Sequence, residues 1–123
     1  MCGITGFLNL KRVPAELGIL KSMTDAIAHR GPNGEGHWVH ENIAIGHRRL
    51  SIIDLSSDGH QPMLSGDQRF VLSYNGEIYN YKELRLELET LGYCFSSNTD
   101  TEVVLYALAY WGEKALLRFN GMF

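Results

Sequence analysis

The chain begins, after Met1, with Cys2-Gly3-Ile4-Thr5-Gly6-Phe7-Leu8-Asn9-Leu10, a short run of apolar and small residues. Runs of this length and composition are typical of a buried strand. The first residues of a domain usually fray, whereas the first residue of a paired strand would be held in place. We therefore expect the chain to start with a core strand that has Cys2 at its head.

A helix, a hairpin and a loop are predicted to follow this strand. Apolar residues recur at helical spacing between a proline that suits a first turn and a Gly-Pro pair that ends the run: Pro14, Leu17, Leu20, Met23, Ile27 and Gly31-Pro32. This pattern predicts a helix over residues 14–29. Residues 36–47 alternate between apolar and polar around Glu41-Asn42, which predicts a hairpin. Residues 51–67 are rich in Ser, Asp and Gly, which predicts a long loop.

The second half of the chain predicts one strand and then helices. Residues 70–74 are apolar and aromatic, which predicts a strand that runs into the turn dipeptide Asn75-Gly76. Two capping-box patterns open helices that glycines interrupt: Asn80 with Glu83 before Gly92, and Thr99 with Glu102 before Gly112. A shorter helix continues after Gly112. Helices and strands are therefore mixed along the chain.

Composition bounds the class of protein. The 123 residues fit one domain, and the apolar share of 45% indicates an ordinary globular protein rather than a disordered one. With a net charge of -3 and interspersed signs, the chain lacks the basic stripe that neutralises nucleic-acid phosphates. Neither a run of ~20 apolar residues nor the pattern of a secretion signal is present. We therefore expect a cytoplasmic protein that binds neither nucleic acid nor a membrane.

The cysteines and histidines form no metal-binding pattern. The two cysteines, Cys2 and Cys94, are far apart, and the five histidines are scattered over different segments. We therefore expect no disulfide framework and no metal site. We interpret Cys94 as a packing residue.

Cys2 has a position that suits covalent catalysis. Removal of Met1, which a small second residue permits, would leave a thiol and a free α-amine on the same residue. The amine can take the thiol proton near neutral pH, as in the arrangement of a nucleophile with an N-terminal amine. The alternative is an ordinary core or surface cysteine, and the first three residues alone do not decide between them.

Asn75-Gly76 can supply the donors that acyl transfer needs. An oxyanion is usually stabilised by a side-chain amide and a backbone N–H. Asn75 offers the amide, and Gly76 allows its backbone to approach a substrate closely. The alternative is a simple β-turn.

A free amino-acid substrate requires one cation for its carboxylate and one anion for its ammonium. Arg49 and Asp100 are the candidates. Because Arg48 is adjacent to Arg49, spacing does not show which of them points inward, and a solvated basic pair is the alternative. Asp100 could equally interact with the dipole of its own helix.

Seven motifs in order resemble the class II glutamine amidotransferases, in particular their asparagine synthetase branch. They are Met-Cys-Gly-Ile-Thr-Gly at 1–6, His-Arg-Gly-Pro-Asn at 29–33, His-Arg-Arg-Leu-Ser-Ile-Ile-Asp-Leu-Ser at 47–56, Gly-His-Gln-Pro-Met at 59–63, Tyr-Asn-Gly-Glu-Ile-Tyr-Asn-Tyr at 74–81, Thr-Asp-Thr-Glu-Val at 99–103 and Asn-Gly-Met-Phe at 120–123. Together they span the whole chain, so the resemblance is specific.

The resemblance implies an α+β fold, a four-layer αββα sandwich of the N-terminal-nucleophile hydrolase type, with residues 1–123 as its N-terminal part. It implies that Cys2 is the nucleophile and that Asn75 and Gly76 form the oxyanion hole. The glutamine pocket would comprise Arg49 for the carboxylate, Asp100 for the ammonium, the backbone of Leu50, Ser51, Ile52 and Ile53, and the side chain of Glu77. No metal or cofactor is implied for this half reaction.

The implied function is the glutaminase half of a glutamine-dependent asparagine synthetase, in asparagine biosynthesis. Glutamine would be the substrate, and ammonia would pass to a synthetase domain or subunit, absent here, that uses ATP and Mg to amidate aspartate. The alternatives are a synthetase-like amidotransferase with another acceptor and a silent remnant that binds glutamine or a partner subunit without turnover. Glutaminase domains of sugar-phosphate amination or purine synthesis fit residues 47–54 less well.

Two features depart from the family pattern. Asn33 stands where relatives usually have Asp, which affects only local loop contacts. The chain ends at Gly121-Met122-Phe123, where relatives continue with further strands, so we expect a sandwich truncated at its C-terminus with exposed strand edges.

Overall fold

The structure, a computed structural model, describes residues 2–50 and 59–123. Its strands are β1 (Gly3–Leu8), β2 (Gly34–His40), β3 (Ile43–Arg49), β4 (Met63–Leu64), β5 (Val71–Leu72), β6 (Glu77–Ile78) and β7 (Gly121–Met122). Its α-helices are α1 (Leu17–Ala26), α2 (Tyr81–Thr90) and α3 (Asp100–Trp111). Helices and strands are therefore mixed, as in an α+β fold, and the four-layer sandwich and its truncation stay predictions.

The described residues divide into two compact units. The first comprises residues 2–50, His60–Pro62 and Ser73–Asn75, and the second comprises Gly59, Met63–Leu72 and Gly76–Phe123.

The first unit is built on an antiparallel sheet with the strand order β1-β3-β2. The predicted hairpin is confirmed, because β2 and β3 pair from Gly34 opposite Arg49 to His40 opposite Ile43. Helix α1 packs on one face of this sheet, where a Cβ on Gly46 would lie 2.5 Å from the Thr24 hydroxyl oxygen. The missing side chain of Gly46 thus lets the helix approach the central strand closely.

The first helix is shorter than predicted. It begins at Leu17 rather than at Pro14, and residues 28–30 form a separate 3-10 turn. The amide of Asn9 instead donates to the carbonyls of Val13 and Pro14, which holds this segment in a non-helical conformation. The predicted start was therefore wrong, because a local side-chain bond competes with the helix.

The second unit is organised around α3, which buries Val103, Val104 and Ala107. Thr99 caps this helix, since its hydroxyl accepts the backbone N–H of Glu102. The Glu102 carboxylate accepts the backbone N–H of Ser96 at 2.9 Å and that of Ser97 at 2.7 Å. The second capping pattern therefore marks a real helix start, with the glutamate reaching back to the preceding loop.

Other predictions in this unit need correction. Helix α2 is confirmed, but the Asn80 side chain makes no cap bond and its amide donates to the carbonyl of Arg118. The predicted strand over residues 70–74 is only Val71–Leu72, and β4 lies within the predicted loop over residues 51–67. Residues 51–58 of that loop lie outside the described residues. Cys94 is exposed rather than a packing residue.

Across the described ranges, no helix is both long and apolar enough to cross a membrane.

Candidate active site

The head of β1 brings Cys2 against the backbone of Leu50. Cys2 is half-buried, and its Sγ lies 3.3 Å from the N–H nitrogen of Leu50 and 3.8 Å from the Leu50 carbonyl oxygen. The N–H donates to the sulfur, so the thiol is held by the residue that comes directly after β3. This contact needs no side chain from Leu50, and therefore no sequence pattern marks it.

The strand register shows which face of the sheet Cys2 occupies. Gly3 is opposite Arg48, and a Cβ on Gly3 would meet the side chains of Ile27 and Arg30, so Gly3 faces the helical side. Because side chains alternate along a strand, Cys2 lies on the opposite face.

Arg48 and Arg49 are separated by the same alternation. Arg48 lies on the helical side, where its Nε donates to the carbonyl of Thr24 at 3.1 Å. Its guanidinium forms ion pairs with Asp25 and, at 2.8 Å, with Glu35. Arg49 is the next residue of β3 and therefore belongs to the face of Cys2. The adjacent arginines are thus not equivalent, and the one engaged by the helix is Arg48.

The segment Ser73–Asn75 lies in the first unit. The backbone N–H of Tyr74 donates to Oε1 of Gln61 at 2.6 Å, and the hydroxyl of Ser73 is 2.9 Å from Nδ1 of His47. Asn75 is half-buried. The dipeptide Asn75-Gly76 is not a hairpin turn, because β5 before it pairs with β4 and β6 after it pairs with β7.

His47 is almost fully buried, with 1% of its surface exposed. Burial lowers its pKa from 6.5 to about 4, and the charges of Arg49 and His60 contribute to this shift. Its imidazole is therefore neutral at neutral pH. Within the described ranges its Nε2 has no hydrogen-bond partner, whereas its Nδ1 is hydrogen-bonded to the Ser73 hydroxyl.

In the second unit, Asp100 lies in the first turn of α3 with 5% of its surface exposed. Its Oδ2 accepts the backbone N–H of Ile78 at 2.9 Å. Burial raises the pKa of this carboxyl, and the negative charge of Glu77 adds to that rise. A cation placed beside Asp100 would offset both effects, which is the property expected of an ammonium site.

The structure thus brings predicted residues together in two groups. Cys2 and Leu50 are in contact, and Arg49 and Asn75 belong to the same unit. Gly76, Glu77 and Asp100 belong to the second unit, and Ser51, Ile52 and Ile53 lie outside the described residues. Sequence reasoning missed His47 and Gln61, although both stand inside family motifs, because a lone histidine or glutamine has no spacing signal.

No group of three or more metal-ligating side chains occurs in the part of the chain that the structure describes.

The burial of neutral His47 predicts that the fold loses stability in acid. Between about pH 6.5 and 4 the unfolded chain binds a proton on this histidine and the folded chain does not, so stability falls as pH drops through this window. The shift corresponds to at most about 3 kcal/mol. Urea unfolding across the window should show a shallower pH dependence for His47→Asn than for the wild type. The exposed His29, replaced by Gln, is the control. Parallel curves for wild type and His47→Asn would contradict the prediction.

Comparisons with known proteins place the chain among glutamine amidotransferases. A family model described as a glutamine amidotransferase domain matches residues 1–123. Asparagine synthetase [glutamine-hydrolyzing] 1 of Bacillus subtilis is 42% identical over 126 residues, covering 100% of this chain and 20% of that protein. Asparagine synthetase [glutamine-hydrolyzing] of Zea mays is 36% identical over 124 residues, covering 100% of this chain and 21% of that protein. The chain therefore spans about a fifth of the length of these relatives.

Proposed function

Because the chain belongs to the glutamine amidotransferase domain family, we propose that it hydrolyses the side-chain amide of glutamine with Cys2 as the nucleophile. The observation that carries this proposal is the contact between the Cys2 sulfur and the backbone of Leu50. It fixes a thiol at the head of a strand, on the face that Arg49 shares.

The reaction uses groups of the chain alone. After Met1 is removed, the α-amine of Cys2 takes the thiol proton and the sulfur attacks the amide carbon of glutamine. The oxyanion of the tetrahedral adduct accepts hydrogen bonds from the side-chain amide of Asn75 and the N–H of Gly76. The amine returns the proton to the leaving nitrogen, ammonia departs, and a glutamyl thioester remains. Water then attacks the thioester, which frees glutamate and restores the thiol.

A site that is specific for free glutamine must bind both of its charged groups, the α-carboxylate and the α-ammonium. Arg49 binds the α-carboxylate, for which the fork of a guanidinium is well suited. Asp100 binds the α-ammonium, because its buried carboxylate, next to Glu77, gains from a cation. The backbone of residues 50–53 and the side chain of Glu77 complete the pocket.

The asparagine synthetases that the chain resembles suggest a fate for the ammonia. We propose that it reaches a synthetase domain or subunit that amidates aspartate with ATP and Mg, so that the chain serves asparagine synthesis in the cytoplasm. Another acceptor is the alternative within this class, because the residues of this chain bind glutamine and not the acceptor. Neither ATP nor Mg is assigned to residues 1–123.

Covalent trapping tests the proposed function. The purified chain should release ammonia and glutamate from glutamine in equal amounts. A diazoketone analogue of glutamine should add its mass to the N-terminal peptide at Cys2, after Met1 has been removed, and excess glutamine should slow this labelling. Retention of Met1, or glutamine binding without ammonia release, would favour the silent remnant instead.

A further inference from the structure

Two side chains outside the proposed catalytic set hold the segment that ends at Asn75. The first is His47, whose Nδ1 lies 2.9 Å from the Ser73 hydroxyl. The second is Gln61, whose Oε1 accepts the N–H of Tyr74 at 2.6 Å. Two successive residues before Asn75 are therefore each bonded to a side chain of the first unit.

Both holding residues lie on the same face of the sheet. His47 is directly opposite Gly36 in the β2–β3 register, and a Cβ on Gly36 would lie only 1.9 Å from the carbonyl oxygen of Gln61. Because Gly36 has no side chain, the backbone of Gln61 can pack against the sheet at this point, beside His47. Gln61 is itself buried, so its position is set by packing.

The hydrogen bond of buried His47 to Ser73 can form in either tautomer. A neutral imidazole has one N–H donor and one bare nitrogen. The Ser73 hydroxyl can accept from the N–H or donate to the bare nitrogen, so it can bond to Nδ1 in either case. Nε2 has no partner among the described residues.

We propose that His47 is a positioning residue for glutamine hydrolysis, which acts through Ser73 to hold the Asn75 amide where the oxyanion forms. This inference rests on the proposed glutaminase function. His47 lies three residues before Leu50, which contacts the Cys2 sulfur, and Ser73 lies two residues before Asn75. One hydrogen bond therefore links the strand that supports the nucleophile to the segment that supplies the donor.

Loss of the His47–Ser73 hydrogen bond is expected to destabilise the transition state rather than weaken substrate binding. A donor displaced by about 1 Å from a developing charge can cost on the order of 100-fold in rate. In the proposed mechanism Arg49 and Asp100 hold glutamine itself, whereas Ser73 leads to the oxyanion donor Asn75. Loss of the link should therefore lower kcat and leave KM nearly unchanged.

The test compares two amides of different reach. The Asn side chain places its amide near the position of the imidazole Nδ1, whereas the Gln side chain places it near that of Nε2. We expect His47→Gln to lower kcat for ammonia release on the order of 10-fold, and His47→Asn to stay within about 3-fold of the wild type. Equal losses in the two variants, or full kcat in folded His47→Gln, would overturn the proposal.

A double-mutant cycle shows whether His47 acts through Asn75. In an Asn75→Ala background the donor is already missing, so His47→Gln should cause no further loss of kcat. If it lowers kcat by the same factor in both backgrounds, His47 does not act through Asn75 and the proposal fails. Ser73→Ala, which removes only the hydroxyl oxygen, gives the same comparison should His47→Gln not fold.

Amide hydrogen exchange separates this inference from the proposed function. The Tyr74 N–H, bonded to Gln61, should exchange faster in His47→Gln than in the wild type or His47→Asn, because the segment opens locally. If the Tyr74 N–H exchanges at the same rate in His47→Gln as in the wild type, the proposed link through Ser73 is refuted, even if the enzyme is active. If the wild type releases no ammonia, the proposed function fails, whereas faster exchange in His47→Gln would still establish the link.

Discussion

Replacement of Cys2 by alanine is expected to lower kcat for glutamine hydrolysis by about 10⁴-fold or more, because the proposed acyl intermediate forms on the Cys2 sulfur. The sulfur and the α-amine act as one unit, so loss of the sulfur also leaves the amine without a proton to take. The variant should still bind glutamine through Arg49 and Asp100. Ammonia release and glutamine affinity, measured on the same preparation, check both parts of this expectation.

Cys94 provides the matched control for Cys2. It is the other cysteine of the chain and is exposed in the second unit. Cys94→Ala should retain the wild-type kcat and the mass shift at the N-terminal peptide when the diazoketone analogue is added. Appreciable ammonia release by Cys2→Ala, or its loss in Cys94→Ala, would refute the assignment of the nucleophile.

Replacement of Arg49 by glutamine is expected to lower kcat/KM for glutamine by about 10³-fold, chiefly through KM, because a two-pronged charged hydrogen bond to the carboxylate is lost. The register places Arg49 on the same face of the sheet as Cys2, and the proposal assigns the substrate carboxylate to its guanidinium. Steady-state kinetics over a wide range of glutamine concentrations measure the effect.

The neighbouring arginine gives this experiment an internal control. Arg48 bonds to Thr24, Asp25 and Glu35 on the helical side. Arg48→Gln should therefore leave KM within about 3-fold of the wild type and lower the free energy of unfolding by about 1 kcal/mol. If the two variants exchange these effects, the assignment of the carboxylate site to Arg49 is wrong.

The elements that sequence predicted well are those with strong local signals. The β2–β3 hairpin follows from alternation around a two-residue turn, and α3 follows from its Thr99 cap and the interruption at Gly112. The short strands β4 to β7 have two residues each, which is too short for any periodicity. The predicted helix cap at Asn80 was wrong for another reason. Its side chain bonds to residues about forty positions away, and local sequence does not indicate such partners.

The candidate site shows the same division. Cys2 and the Asn75-Gly76 pair can be proposed from position and chemistry, because a terminal cysteine and an amide beside a glycine suit acyl transfer. The choice between Arg48 and Arg49 could not be made from spacing, since adjacent residues of a strand differ only in the face that they occupy. The roles of His47 and Gln61 required the distances to Ser73 and Tyr74.

The amino-acid sequence by itself determined the chemical groups, the mixture of helices and strands, and the family, because these depend on residue type and on short-range order along the chain. Only the tertiary structure decided that the Cys2 sulfur meets the backbone of Leu50 and that Arg48 turns towards α1. It also decided that a buried histidine bonds to Ser73. These contacts join residues 24 to 48 positions apart. Strand pairing and the packing of a helix and a loop on the sheet, rather than local preference, bring such distant residues together.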